Sequence, residues 1–127
     1  MSASDDPKPP PELSVGIPAY NEAETIEEVL WRVINATANA ELIVVNDGSS
    51  DRTPALVDRF AKREPRVRVF HLEKNSGKGA AVRRGIQEAT GELVVIQDGD
   101  LEYDPADFAP MIAEMRRLGT PVLYGSR

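Results

Sequence analysis

Short apolar runs alternate with amphipathic stretches along this chain, and the alternation is the strongest constraint on its fold. Five runs predict strands, at residues 13–17, 42–45, 67–70, 93–96 and 121–124. Between them, apolar residues recur at helical spacing and predict four helices. Strands that alternate with helices form parallel sheets joined by right-handed crossovers. We therefore expect an α/β fold with a mostly parallel sheet and helices on both faces, and the polar run at 67–70 predicts an edge strand.

The same pattern predicts where each element ends and which residues face the core. Pro18 should stop the first strand, and Thr53 should cap the second helix ahead of Pro54. Gly91 should end the third helix, and Asp104 should cap a fourth. The predicted core residues are Ile26, Val29, Leu30, Val33 and Ile34, then Leu56, Val57, Phe60 and Ala61, then Ala81, Val82, Gly85, Ile86 and Ala89, and finally Phe108, Met111, Ile112 and Met115.

Composition narrows the class of protein. A chain of 127 residues supports one modest domain, and the absence of cysteine excludes a disulfide framework and a thiolate zinc site. The net charge of −6, with scattered Lys and Arg, argues against a nucleic-acid binder. No apolar run approaches the length of a membrane span and no signal segment follows Met1, so we expect a cytoplasmic protein. Residues 1–11, with four prolines, predict a disordered tail ahead of a domain at 12–127.

Polar segments follow each of the first four predicted strands, at residues 18–22, 46–50, 75–78 and 98–102. The carboxyl ends of parallel strands meet at one edge of a sheet, and ligands bind beyond that edge. Four polar loops at one edge therefore predict a binding site. The single histidine, His71, also falls near this edge, but we expect it to be packed or solvated, as we expect Trp31 to pack.

The loop after the fourth strand places Asp98 and Asp100 on either side of Gly99. Positions i and i+2 of an extended chain point to the same side, so the two carboxylates can approach one cation. Mg²⁺ is commonly held by one or two carboxylates together with substrate phosphates. A ligand-free Asp-Gly-Asp turn is the alternative interpretation.

Other phosphate-binding signatures fail on specific residues. Gly77-Lys78 is similar to part of a P-loop, but Gly79 stands where Ser or Thr is required. The dinucleotide fingerprint fails because Val82 stands where a third glycine is needed. A response regulator would carry an acidic pair after its first strand, which this chain lacks. A nucleotide-diphosphate site that uses a metal remains.

Five segments carry a family resemblance: GIPAYNE at 16–22, VVNDGSSD at 44–51, NSGKGA at 75–80, QDGDLEYDP at 97–105 and LYGSR at 123–127. In order and spacing they resemble family 2 glycosyltransferases, closest to the branch that transfers mannose or glucose to polyprenyl (dolichol) phosphate. The resemblance implies a GT-A fold, Rossmann-like in its sheet. It also implies a metal-dependent, inverting transfer of a hexose from a donor of the GDP-mannose or UDP-glucose type, with the acceptor at the membrane surface.

The resemblance further implies roles for individual residues. Asp98, Asp100 and Glu102 would bind Mg²⁺ or Mn²⁺ against the donor diphosphate, with Asp100 counted as catalytic and Asp98 also as a donor contact. Arg127, also counted as catalytic, would face the acceptor phosphate or the departing diphosphate. The nucleotide would be held by Pro18, Ala19, Tyr20, Asn21, Glu22, Asn46, Asp47 and Lys78, with Asp47 accepting a hydrogen bond from the base.

Two departures from the family pattern shape the expectations. Asn46 replaces the first Asp of the usual acidic pair, so it keeps an acceptor and loses the charge. Family members continue beyond the position of Arg127 with an acceptor-binding half, so we expect a nucleotide-sugar-binding half that is incomplete for catalysis. Open strand edges would then favour homo-oligomers. A nucleotidyltransferase and a non-catalytic nucleotide-binding module remain as alternatives; the former would carry a Gly-rich basic loop after its first strand.

Overall fold

The computed structural model describes residues 11–97, 117 and 122–124, and its centre is a parallel sheet. The strand order is β3-β2-β1-β4-β5, and each neighbouring pair is parallel. The predicted parallel α/β fold is therefore confirmed, as is the position of β3 at an edge. The strands are β1 (Leu13–Ala19), β2 (Ala40–Asp47), β3 (Val67–Leu72), β4 (Leu93–Ile96) and β5 (Val122–Tyr124).

Helices cover both faces of the sheet, and three of them lie within the described residues: α1 (Ile26–Ala36), α2 (Thr53–Arg63) and α3 (Lys78–Glu88). The apolar residues of α1 and α2 share one core cluster with β1, whereas α3 packs on the opposite face. The predicted fourth helix falls outside the described residues except for Arg117, which is helical. Among the residues that the structure describes, no helix is both long and apolar enough to span a bilayer.

Strand β2 shows why its apolar run is continuous. Leu42 and Val44 face the cluster formed with α1 and α2, while Ile43 and Val45 face α3. Both faces of β2 are buried, so the residues that point to each face are apolar and the strand shows no alternation of apolar and polar residues. Trp31 packs edge-on against Phe60, with ring centroids 5.0 Å apart, although 48% of Trp31 stays exposed.

The prediction that Pro18 stops β1 is wrong, because the strand continues to Ala19. Gly16 directs its carbonyl toward the β4 side, where it accepts a hydrogen bond from Gln97 N at 2.8 Å. Backbone groups two residues apart point to the same side, so Pro18 also faces that side. Pairing with β4 ends at Gly16, so no ladder hydrogen bond is lost through the missing N–H of Pro18.

Several predicted boundaries also differ. Thr53 is the first residue of α2 and Arg52 is its N-cap. Ala89, not Gly91, is the C-cap of α3. Gly91 instead passes so close to β1 that an added Cβ would lie 2.7 Å from Ser14 Oγ. Ile86, predicted to face the core, is 37% exposed, because the α3 residues that contact the sheet are Ala81 and Gly85.

Residues 1–10 of the predicted tail lie outside the described residues. Pro11 accepts a backbone hydrogen bond from Glu92 N at 3.4 Å, next to the start of β4. At this amino end of the sheet, Glu41 accepts hydrogen bonds from Ser14 Oγ at 2.6 Å, from Thr90 N at 2.6 Å and from Arg68 at 3.1 Å. Burial opposes ionisation of Glu41, but these hydrogen bonds outweigh it and hold its pKa below the ordinary value of 4.5.

The lowered pKa of Glu41 predicts a pH-dependent contribution to stability. Because the pKa is lower in the folded state, the contribution is fully present above pH 4.5 and is lost as the pH falls through the folded value. We expect Glu41→Gln to lower the free energy of unfolding by about 1–2 kcal/mol at neutral pH. Urea denaturation at several pH values should show this difference shrinking in acid. A difference that stays constant would contradict the prediction, and Glu28→Gln on the exposed face of α1 is the control.

Candidate functional site

The carboxyl ends of β1, β2 and β3 carry three loops at one edge of the sheet: the first two contact each other through side-chain hydrogen bonds, and the third is bonded to Asp47 at the end of β2. We name them L1 (residues 20–25), L2 (residues 48–52) and L3 (residues 73–77). Asn46 and Asp47, predicted to lie in the loop after β2, are instead its last two residues and are buried. The convergence predicted from sequence is thus observed for these three loops.

Asn21 joins L1 to L2. Its backbone N–H donates to Ser49 Oγ at 2.9 Å, and its Oδ1 accepts from Ser50 N at 2.8 Å and from Asp51 N at 3.3 Å. The backbone of Asn21 has a φ of 52°, a left-handed conformation that asparagine tolerates better than most residues. The side chain of Asn21 therefore satisfies the backbone of L2 while its main chain turns L1 away from the sheet.

Asp51 makes a second connection between L1 and L2. Its Oδ2 accepts from Ala23 N at 3.2 Å and its Oδ1 from Thr53 N at 2.8 Å. Thr53 Oγ1 in turn accepts from Glu22 N at 2.9 Å. Slight burial acts to raise the pKa of Asp51, but its hydrogen bonds with Thr53 and Ala23 lower it below the ordinary 3.8. Asp51 is thus an anion at neutral pH that holds L1 against the start of α2.

Asp47 joins the end of β2 to L3. Its Oδ1 accepts from Ser76 N at 2.7 Å, and its Oδ2 accepts from Gly77 N at 3.0 Å and from Asn75 Nδ2 at 3.1 Å. Only 3% of Asp47 is exposed. A carboxylate has about four acceptor positions, so the contacts with L3 occupy most of them.

Gly48 lets L3 lie directly against the chain that leaves β2. Its φ is +67°, and an added Cβ would lie 2.3 Å from Asn75 N and 2.5 Å from Lys74 C. Both neighbours are backbone atoms, which cannot move without moving the loop. The positive φ of Gly48 thus turns the chain away after Asp47, and its missing side chain leaves room for L3.

Asn46 points to the opposite face of β2 and pairs in register with His71 of β3. Asn46 Oδ1 accepts from Ser49 N at 3.1 Å, and its Nδ2 lies 3.0 Å from His71 Nδ1. His71 Nε2 lies 2.8 Å from Asp58 Oδ1 on α2. Sequence reasoning missed this connection, because it depends on the register between β2 and β3. The expectation that His71 is simply packed or solvated is therefore incomplete.

The remaining predicted site residues differ in placement. Pro18 and Ala19 are buried at the end of β1, whereas Tyr20 is 46% exposed in L1. Glu22 is half-buried in L1, and Lys78 is the exposed first residue of α3. The predicted metal ligands and the predicted catalytic arginine lie outside the described residues; they are Asp98, Asp100, Glu102 and Arg127.

The continuously described part of the chain ends at Gln97, which precedes the predicted metal ligand Asp98 in the sequence. Gln97 is buried, and its backbone N–H donates to the carbonyl of Gly16 in the middle of β1. Within residues 11–97, 117 and 122–124, no three acidic or histidine side chains come together as a metal site.

Comparison with known sequences agrees with this arrangement. The model of the family described as glycosyl transferase family 2 matches residues 14–127. The dodecaprenyl-phosphate galacturonate synthase of Rhizobium johnstonii is 36% identical over 132 residues, covering 100% of this chain and 39% of that protein. The dolichol-phosphate mannosyltransferase of Pyrococcus furiosus is 38% identical over 117 residues, covering 91% of this chain and 33% of that protein. The chain thus spans about two fifths or less of these curated relatives.

Solved structures with the same fold include two glycosyltransferases. The mannosyltransferase PcManGT of Pyrobaculum calidifontis, in complex with GDP-Man and Mn²⁺, superposes with a TM-score of 0.68 at 34% identity, over 82% of this chain and 32% of that one. TarS of S. aureus, in complex with UDP, gives a TM-score of 0.69 at 27% identity, over 84% of this chain and 32% of that one.

Proposed function

Because the chain belongs to glycosyl transferase family 2 and has the GT-A fold, we propose that L1, L2 and L3 bind the nucleotide of a nucleotide-sugar donor. The reaction proposed for the whole protein is a metal-dependent, inverting transfer of a hexose to a polyprenyl phosphate. One observation carries the proposal: Asn21 and Asp51 hold L1 against L2, and Asp47 holds L3 against the end of β2, at the edge where α/β sheets bind ligands. A preformed edge of this kind binds a ligand without first having to order the loops.

The described residues suggest how the nucleotide is held. Tyr20 offers an exposed aromatic face in L1, against which a base can stack. Asp47 fixes L3, and its remaining acceptor position is the one that a base N–H would use. Asp47 would then contact the base and hold the wall of the site at the same time. Lys78, at the start of α3 and next to L3, supplies positive charge for the donor phosphates.

The donor set after β4 fits a hard divalent cation. Asp98, Asp100 and Glu102 offer carboxylate oxygens, the ligand type that Mg²⁺ and Mn²⁺ prefer. A cation held there would neutralise the charge that develops on the departing diphosphate. The Pyrobaculum relative, solved with GDP-Man and Mn²⁺, supports this choice of cofactor. Arg127 would face the acceptor phosphate or the diphosphate, and relatives named for dodecaprenyl and dolichol phosphates support a polyprenyl phosphate acceptor.

Calorimetric titration with GDP-mannose and UDP-glucose, with and without Mn²⁺, tests the proposal. We expect one donor to bind, and we expect Mn²⁺ to tighten its binding by about 10-fold or more. Loss of a residue that supports a metal site commonly has an effect of this size. Asp100→Ala should remove the effect of Mn²⁺ and leave the metal-free affinity unchanged. Glu92→Ala, which removes an exposed carboxylate just before β4, is the matched control and should keep the effect. No binding of either donor, or a full Mn²⁺ effect in Asp100→Ala, would contradict the proposal.

A further inference from the structure

The hydrogen bonds around Asn46 have a fixed direction. Ser49 N–H can only donate, so the atom of the Asn46 amide that it meets at 3.1 Å is the oxygen. The amide nitrogen, which can only donate, is then the atom that lies 3.0 Å from His71 Nδ1. Nδ1 must accept this hydrogen bond, so it carries no proton.

The other ring nitrogen completes the assignment. In a neutral imidazole with a bare Nδ1, the proton is on Nε2, which here donates to Asp58 Oδ1 at 2.8 Å. Among the described residues, the polar partners given for the ring are a carboxylic acid residue, Asp58 on α2, and an amide, Asn46 on β2. One path of hydrogen bonds therefore runs from α2 through β3 and β2 to Ser49, and Ser49 Oγ extends it to Asn21 of L1.

We propose that His71 is a positioning residue whose unprotonated Nδ1 sets the orientation of the Asn46 amide and thereby holds L2. Protonation of Nδ1 places an N–H against the Asn46 amide nitrogen, so two donors face each other. The amide must rotate, and Ser49 N then faces a donor instead of its acceptor. L2 loses the hydrogen bond from Ser49 N to Asn46 of β2, and the site is weakened in acid.

The effect depends on asparagine at position 46. In Asn46→Asp, both side-chain atoms accept, so a protonated His71 can bridge the new carboxylate and Asp58 while Ser49 N keeps an acceptor. His71→Gln cannot titrate, and its amide oxygen can accept from Asn46 Nδ2 in place of the imidazole nitrogen. Both variants should therefore retain L2 in acid, for different reasons.

Nuclear magnetic resonance on the ligand-free protein tests the proposal directly. The chain has 1 histidine, so the ring nitrogen signals are unambiguous. We expect a bare Nδ1 at about pH 8, and on acidification to about pH 5 we expect the protection of the Ser49 amide from hydrogen exchange, taken relative to the intrinsic rate, to fall about tenfold. His71→Gln and Asn46→Asp should keep that protection at both pH values. Equal protection of Ser49 in the parent at both pH values, or an equal loss in both variants, would overturn the proposal.

A second arm, which rests on the proposed function, measures metal-free affinity for GDP-mannose and UDP-glucose. These donors carry no terminal phosphate that titrates near pH 6, so a change in affinity reports on the protein. We expect about tenfold weaker binding at about pH 5 than at about pH 8 in the parent and no change in His71→Gln. If neither donor binds at either pH, the proposed function fails and the exchange experiment still decides the role of His71. Full affinity in acid with a released Ser49 would overturn the claim that this path positions the nucleotide site.

Discussion

Replacing Asp47 with asparagine should release L3 and weaken nucleotide-sugar binding by about 100-fold, with or without metal, equivalent to about 3 kcal/mol. The substitution keeps the shape of the side chain, but both carboxylate oxygens accept hydrogen bonds from L3. Either orientation of the new amide therefore places its nitrogen against a donor, Ser76 N–H in one case and Gly77 N–H in the other. Hydrogen bonds to a charged group are stronger than neutral ones, so their loss should dominate the result.

Hydrogen exchange at Ser76 and Gly77, measured beside calorimetric titration, separates the two roles proposed for Asp47. Loss of protection at both amides together with weaker binding would support the role in holding L3. Weaker binding with intact protection would assign the residue to the base alone. Ser76→Ala is the matched control, because it removes the hydroxyl and leaves the backbone N–H that Asp47 accepts. Unchanged affinity in Asp47→Asn would place the base elsewhere.

Gly48→Ala should displace L3 by a different route. The left-handed backbone alone costs an alanine about 1–3 kcal/mol. The new Cβ would also lie 2.3 Å from Asn75 N, so L3 must move away and give up its hydrogen bonds to Asp47. We expect a lower free energy of unfolding and nucleotide-sugar binding that is weakened by at least about tenfold.

Urea denaturation and calorimetry on the same preparations check this prediction. Gly79→Ala is the matched control, since its added Cβ would meet Arg83 Nη1 at an ordinary 3.5 Å and alanine favours the helix. Gly79→Ala should be neutral or slightly stabilising and should leave binding unchanged. If Gly48→Ala bound the donor as well as the parent does, L3 would not be part of the site.

The fold could be predicted because its signals are local. Apolar runs and helical stripes identified each described strand and helix, and β4 was predicted to the residue, since Leu93–Ile96 is bounded by polar residues on both sides. One error that bears on the site falls where polar residues belong to a strand. Asn46 and Asp47 extend β2, and they are polar because their side chains hold the loops that follow. Polarity at a strand end was therefore mistaken for the start of a loop.

The residues of the site could be predicted, but the hydrogen bonds between them could not. Sequence placed Asn21, Asn46 and Asp47 at one edge of the sheet. It did not reveal that Asp47 accepts from L3 or that Asn46 meets His71, because both contacts depend on the register of β2 against β3. Register is a relation between distant segments, and a shift of one residue would exchange the faces on which Asn46 and Asp47 lie.

The position of β1 in the sheet has a consequence for how a donor can lie across it. The chain places β2 and then β3 on one side of β1. Helix α3 then leads back to the other side of β1, where β4 lies. The direction of winding thus reverses between β1 and β4, and successive connections diverge there to leave a crevice. L1, L2 and L3 all lie on one side of that crevice, and β4, which ends just before Gln97, lies on the other side. A donor whose base lies against L1, L2 and L3 would extend its diphosphate across the crevice. The bond to be broken would then lie between β1 and β4, where the direction of winding reverses.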